Sequence, residues 1–208
     1  MMDKYKTVLK PAEIQLVEKK STFIAKIIPA GTEKDTLAFL EETRIFHKKA
    51  RHNCFGFILR EKNIERYSDD GEPSGTAGLP ILEVLKNQEL FDVFCVVTRY
   101  FGGVLLGAGG LTRAYSKSAA MVVQQSEIIT METASALRIK AAYTYYGRIK
   151  SAVEKFGGTS ENEVFSGHTE ITAILRLSTV EDFSKHIVDS CNGAVSIEFE
   201  RGLYYRFT

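Results

Sequence analysis

The order of apolar and polar segments predicts an α+β protein of two domains. Three observations carry that prediction. Phe91 to Val97 is nearly all apolar, as a central strand covered on both faces should be. The second half of the chain reads strand, helix, strand, strand, helix, strand, the βαββαβ order of a ferredoxin-like domain. Between the two lies a polar stretch, Ser126 to Thr133, which places a boundary near residue 130 and gives domains over residues 1–130 and 131–208.

The elements follow in order. Ser21 to Ile28 alternates Phe23, Ala25 and Ile27 with Thr22, Ile24 and Lys26, a strand whose second face is partly buried. Pro29-Ala30-Gly31 ends it. Thr32 can cap a helix over Glu33 to His47, with Leu37, Leu40 and Phe46 as its apolar stripe. Lys48, Lys49 and Arg51 follow, near a helix C-terminus, where cations are favoured. Asn53 to Leu59 is a second strand, and Glu61-Lys62-Asn63 turns it into a third, Ile64 to Tyr67. Ser68 to Gly78 is a loop by composition, with Ser74 and Thr76 as candidate caps for a short helix over Pro80 to Asn87. A helix over Leu111 to Gln125 carries Leu111, Tyr115, Ala119 and Val122 on one face and Arg113, Lys117 and Gln124 on the other. Further on come a strand (Ala136 to Ala142), a helix (Tyr146 to Phe156), two strands (Thr159 to Phe165, Glu170 to Leu177), a helix (Val180 to Cys191) and a strand (Ala194 to Phe199). Gly157-Gly158 and Asn192-Gly193 end the two helices, as glycine after a helix should.

Composition narrows the function classes. A net charge of +1 gives the molecule as a whole no strong pull on nucleic acid or an anionic membrane, so any such binding must come from a local patch. The apolar stretches fall short of the roughly 18 to 20 residues that cross a bilayer. The N-terminal residues do not read as a signal peptide. Cys54, Cys95 and Cys191 are odd in number and widely spaced, which fits reduced thiols and a cytoplasmic protein without a zinc or disulfide framework.

The most informative segment runs from Val96 through Arg99-Tyr100-Phe101-Gly102-Gly103 to Gly107-Ala108-Gly109-Gly110-Leu111-Thr112-Arg113. Five glycines fall in nine residues between a strand and a helix. Glycines at that density let backbone N–H groups approach a ligand, and a helix N-terminus adds unpaired N–H groups and partial positive charge. With Arg113 and Lys117 beside it, the loop is a candidate anion site; the bland alternative is a tight crossing between packed elements. It matches neither a Walker A loop nor G-x-G-x-x-G. Tyr100 and Phe101, aromatics beside Arg99, could stack on bases, or be core residues where a strand leaves the sheet. Asp69, Asp70 and Glu72 could hold Mg²⁺ with phosphates and water, or simply shape an Asp-Gly turn. His52 could serve as a base or an anion contact, and would share a strand face with Cys54, although a cysteine in an apolar strand is usually inert. Arg148, Lys150 and Lys155 read as a solvated helix face. The aromatic-basic signature of an RNA-recognition domain is absent, as is any motif for sequence-specific DNA binding.

The chain resembles the YigZ/IMPACT family. The resemblance runs from Gly78 through Ile81-Leu82, Leu85, Leu90 and Val96-Val97 to Arg99-Tyr100-Phe101-Gly102-Gly103 and Gly107, with every fixed position of the signature filled. Arg51-His52-Asn53-Cys54, the segment from Ser68 to Gly78 and Gly107 to Tyr115 are similar to it too, so residues 20–125 are covered. The resemblance implies a first domain folded like the second domain of ribosomal protein S-five, as in GHMP kinases. It implies a ferredoxin-like second domain similar to the last domain of elongation factor G. Eukaryotic members regulate translation initiation by competing for an activator of a stress-responsive initiation-factor kinase, through an extra N-terminal domain not found in this sequence; bacterial members bring no settled activity with them.

The expectation is therefore a non-catalytic, translation-associated regulatory protein that binds RNA, the ribosome or a translation factor through Arg99, Tyr100, Gly102, Gly103, Gly107, Gly109, Gly110, Arg113, Lys117 and His52. No residue is assigned a catalytic role and no cofactor is required. The alternative is an enzyme or binding protein for a phosphate-bearing small molecule, with phosphate on the glycine loop, Mg²⁺ on Asp69, Asp70 and Glu72, and His52 as the base. A pure protein-interaction module is a third reading.

Overall fold

A computed structural model describes residues 2–207; Met1 and Thr208, the outer ends of the two expected domains, lie outside the described residues. The chain is α+β, with two antiparallel sheets and five α-helices among the described residues. Two compact units result, one over Tyr5–Ile129 and the other over residues 130–207 with residues 2–4.

The first unit holds a five-stranded sheet in the order β2-β3-β6-β4-β5, from β2 (Ala12–Glu18), β3 (Ser21–Pro29), β4 (His52–Leu59), β5 (Ile64–Ser68) and β6 (Val93–Tyr100). β6 lies at the centre and its apolar run is covered on both sides. Val93, Cys95 and Val97 pack with Ile81 and Leu85 of α2 (Gly78–Asn87) and with Leu111, Tyr115 and Val122 of α3 (Ala108–Gln125). Phe94 and Val96 pack on the other face with Leu40 of α1 (Glu33–Phe46). Thr32 and Asp35 form a reciprocal capping box at the start of α1.

Several elements differ from the sequence expectation. β1 (Lys4–Val8) and β2 precede the first strand that periodicity identified. The residues of α1 that are buried are Thr36, Leu40 and Thr43, not Leu37, Leu40 and Phe46. Both threonines satisfy their hydroxyls within the helix, on the carbonyls of Glu33 and Phe39 at 2.8 Å, so they can face the sheet; Leu37 and Phe46 are left 64% and 81% exposed. β7 (Ile128–Ala141) begins within the polar boundary stretch Ser126 to Thr133, ahead of its expected start at Ala136.

In the second unit β7 pairs with β9 (Thr169–Arg176) and with β10 (Val195–Tyr205), and β8 (Thr159–Phe165) pairs with β9; β1 also pairs with β7. β10 outruns its expected end because an irregularity between Phe199 and Arg201 lets pairing resume. α4 (Tyr146–Lys155) and α5 (Val180–Ser190) cover one face of this sheet, through Ile149, Ala152, Phe183 and Ile187. The opposite face carries a lattice of paired charges. Arg138 meets Glu170 and Glu200, and Lys140 meets Glu170.

Candidate functional site

The β2–β3 turn, the α1–β4 connection, the β5–α2 loop and the β6–α3 loop gather at one end of the first unit's sheet. The strand register fixes this: Tyr100 at the end of β6 faces Thr22 at the start of β3, and Arg99 faces His52 at the start of β4.

The β5–α2 loop brings Asp69, Asp70 and Glu72 here, and each is committed to a different task. Asp69 caps α2 from outside the helix. Its carboxylate accepts from Gly75 N at 2.8 Å, Ala77 N at 3.0 Å and Gly78 N at 2.8 Å. The anticipated cap Thr76 instead donates its hydroxyl to the Pro73 carbonyl at 2.6 Å. Asp70 accepts from Asn53 N at 2.7 Å and pairs with Arg44 at 3.3 Å. Glu72 is buried and takes Arg99 Nη1 at 2.6 Å and the Tyr115 hydroxyl at 2.9 Å on one oxygen. The three carboxylates thus form no common ligand set, and among the described residues no group of three His, Cys, Asp or Glu side chains is placed to hold a metal ion.

Arg99 is interior. It is 5% exposed, its Nη2 reaches Ser21 Oγ at 3.4 Å, and its guanidinium lies between the rings of Phe23 and Phe101 at 5.5 Å from each. It organises the end of the sheet and has no open side to offer an anion. Tyr100, the next residue, points to the opposite face, as strand alternation requires, and its hydroxyl bonds His47 Nδ1 at 2.9 Å. Arg99 and Tyr100 therefore do not act together on one ligand.

His52 is half-buried, with Nδ1 2.8 Å from the Asp70 carbonyl. A carbonyl only accepts, so Nδ1 carries a proton and donates it there. Cys54 sits on the same face but forms no pair with it. The thiol is buried, 3.4 Å from the Tyr115 hydroxyl, and burial pushes it up to about 12. It is no nucleophile at neutral pH.

The glycine loop has two functions within the fold. A side chain on Gly102 would collide with the Lys20 carbonyl, so glycine lets the β2–β3 turn close onto the loop. Gly103 and Gly107 have φ of 83° and 72°, which turn the chain into α3. No side chain caps α3 at Gly107. Arg113 folds back, with Nη1 3.5 Å from where a Cβ on Gly109 would lie. A groove of about 220 Å³ follows, lined by Glu18, Lys19, Leu106, Gly110, Arg113 and Lys117. The structure thus brings Gly110, Arg113 and Lys117 together and adds Lys19, which sequence reasoning missed. Recognising β2 would have put Lys19 and Lys20 in a hairpin turn.

With the acids of the β5–α2 loop engaged, seven cations remain at this end beside Glu18, the acid that lines the groove. Lys19, Lys20, Lys48, Lys49, Arg51, Arg113 and Lys117 are all exposed, and none makes an ion pair among the described residues.

Residues 19–123 match the Impact N-terminal domain family. The chain is 35% identical to IMPACT family member YvyE of Bacillus subtilis strain 168, over 95% of this chain and 92% of that one. It is 29% identical to IMPACT family member YigZ of Escherichia coli K12, over 89% and 94%. A Dictyostelium discoideum protein named Protein IMPACT homolog is 34% identical over 44% of this chain and 28% of its own length. A crystal structure of a hypothetical protein aligns with a TM-score of 0.65 and 26% identity, covering 97% of this chain and 99% of that one. The family match takes in the Lys19–Lys20 turn, the loop that neutralises its own acids, buried Arg99 and the glycine-rich entry to α3, and the bacterial relatives run nearly the full length of the chain: this protein belongs to the IMPACT family.

Proposed function

We propose that the protein is a non-catalytic regulatory component of the translation apparatus, and that its first unit, as the IMPACT-type N-terminal domain, docks on RNA. The observation that carries this reading is the end of the sheet where seven residues, from the β2–β3 turn, the α1–β4 connection and the first turns of α3, present cations that make no ion pair among the described residues. Such an array suits phosphates spaced along a chain better than one small anion. The uncapped α3 N-terminus, with Gly107, Gly109 and Gly110, adds backbone N–H donors, and Arg113 is already folded over it. Arg99, Gly102 and Gly103 shape the surface, while Arg113 and Lys117 contact the ligand and His52 borders it; Tyr100, bonded to His47, serves the opposite face. The second unit, over residues 131–208, has the strand order β10-β7-β9-β8 with both helices on one face, which supports a ferredoxin-like assignment and a likeness to the last domain of elongation factor G. The first unit's sheet with α2 and α3 on one face supports the likeness to the second domain of ribosomal protein S-five. We place the protein in the cytoplasm; no helix among the described residues is long and apolar enough to cross a membrane.

Co-sedimentation with ribosomes from a lysate, at low and moderate salt, tests this. Wild type should co-migrate at low salt and lose affinity steeply as salt rises. The Lys19→Ala/Arg113→Ala/Lys117→Ala variant should flatten the salt slope by about 2, since each phosphate contact to a single strand contributes about 0.7. Binding that ignores both salt and the substitutions would refute the phosphate reading and point to a translation factor or another protein as the partner.

A further inference from the structure

The opposite face of the same sheet has a second cleft, of about 190 Å³, between the last turns of α1 and strands β2, β3 and β6. Its walls are Ile24, Val96 and Phe39 on the sheet side of α1, with Phe46 and His47 at the rim and Thr98 at the floor. Phe46 is the outlier. A phenylalanine ring 81% exposed at the mouth of a cleft is unusual, since such a ring dominates core energetics when it is buried. It is held in place all the same: it meets the His47 ring edge-on at 4.9 Å, and His47 in turn is fixed by its hydrogen bond to the Tyr100 hydroxyl at 2.9 Å.

The charges inside the cleft select against an anion. Glu13 and Glu42 line it against one cation, Lys26, which is drawn to Glu13 at 4.0 Å and lies 5.1 Å from the centre of the Phe39 ring. Burial also keeps His47 below the ordinary histidine range, so its imidazole is neutral at neutral pH. A neutral, flat occupant with polar edges fits: a ring system that stacks on Phe46 and offers hydrogen-bonding edges to Thr98 and the acids. Immediately outside, the surroundings reverse. Lys48 and Lys49 follow His47 in the chain, exposed and without ion pairs among the described residues. A ring slot whose lining holds two acids and one cation, followed in the chain by two exposed lysines, has the chemical layout for a nucleotide with base inward and phosphate outward.

We propose that this cleft takes one unpaired nucleobase of a single-stranded RNA, stacked on Phe46, with Lys48 and Lys49 on the flanking phosphates. The proposal rests on the reading of this unit as RNA-binding and specifies the form of RNA: a duplex would first have to extrude a base, at the cost of unpairing and unstacking. Base–aromatic stacking tolerates any sequence, so the preference is for strandedness and not for a particular base.

The chain contains no tryptophan, so Phe46→Trp places a lone indole at the cleft. The probes are a 12-nucleotide single-stranded RNA and the duplex of the same sequence, titrated by anisotropy at fixed low salt. Wild type should bind the single strand at least about tenfold more tightly. Phe46→Ala should lower single-strand affinity by about tenfold or more and leave duplex affinity unchanged, while Phe46→Trp keeps the affinity and shows its emission quenched by the single strand. Phe46 is exposed, so neither variant threatens the fold, and matching thermal melts confirm it. Equal affinity for both RNAs, with Phe46→Ala silent and the indole unquenched, would overturn the base-binding cleft and leave the RNA reading standing. If wild type binds neither RNA, the RNA reading fails and the cleft proposal with it.

Discussion

Glu72 shows how much one residue can conceal. Its side chain is 4% exposed and Arg99 opposite is 6% exposed, so two charges have left water for each other and for the Tyr115 hydroxyl. Removing one member strands the other: Glu72→Leu or Arg99→Met should each cost about 3–5 kcal/mol in denaturant unfolding, while the double variant should regain much of that loss. A double cost equal to the sum of the two singles would show that the pair is not coupled. His47 gives a pH prediction. Its pKa is lowered from 6.5, by burial first, with Lys26 adding and Glu13 opposing. The unfolded chain therefore takes up that proton more readily than the folded one. The site's contribution to stability is complete above about pH 6.5 and is lost as pH falls from there through the folded value. The drop in melting temperature between pH 7 and pH 5 should be smaller in His47→Gln than in wild type. At this scale the sequence was half legible. Alternation along β6 is enough to put Arg99 and Tyr100 on opposite faces. Nothing local reveals that Arg99 meets an acid 27 positions away, which is why it reads as a free cation beside a glycine loop.

Among the elements, α2 depends most on a distant residue. The N–H groups of its N-cap Ala77 and of its first residue Gly78 are bonded by Asp69, eight and nine positions upstream, and no side chain at the cap itself does so. Asp69→Ala should therefore destabilise the first unit by about 2 kcal/mol, at the upper end for a helix cap, and Asp69→Asn should recover part of it; thermal melts of the two variants settle the comparison. Ser74 or Thr76 as cap was the natural sequence reading because caps are usually adjacent. Strong periodicity made β3, β6, α3 and the second unit's helices, β8 and β9 readable to within a few residues, whereas β7 starts eight residues before its expected start and β10 ends six after its expected end. β2 escaped because its inner positions, Ile14 and Leu16, are only partly buried at a sheet edge. The stripe of α1 was misread because hydroxyls bonded back to the helix let Thr36 and Thr43 take core positions, and that same substitution of roles leaves Phe46 at the rim of a cleft.

Over the whole molecule, a net charge of +1 conceals an uneven distribution. The first unit leaves its cations unpaired at one end, whereas the open sheet face of the second unit pairs Arg138 and Lys140 with Glu170 and Glu200. Arg138→Ala should leave RNA affinity within about twofold of wild type, a contrast with the Lys19, Arg113 and Lys117 substitutions measured in the same titration. Family membership was legible from the motifs, and the partner was not, because motifs record what the fold needs at Gly102 and Arg99 as faithfully as what a ligand needs. The strand β7 also has a consequence in time. On the ribosome it emerges before β8, β9 and β10, and the first residue of β10 to pair with it, Val195, comes 54 positions after Ala141. At about 5–20 residues per second the β10 edge of the strand, Leu137 and Ile139 included, waits several seconds unpaired. Arg138 and Lys140, which alternate with them, give the waiting strand a charged side, so a neighbouring nascent chain meets repulsion before it can add itself as an unwanted strand.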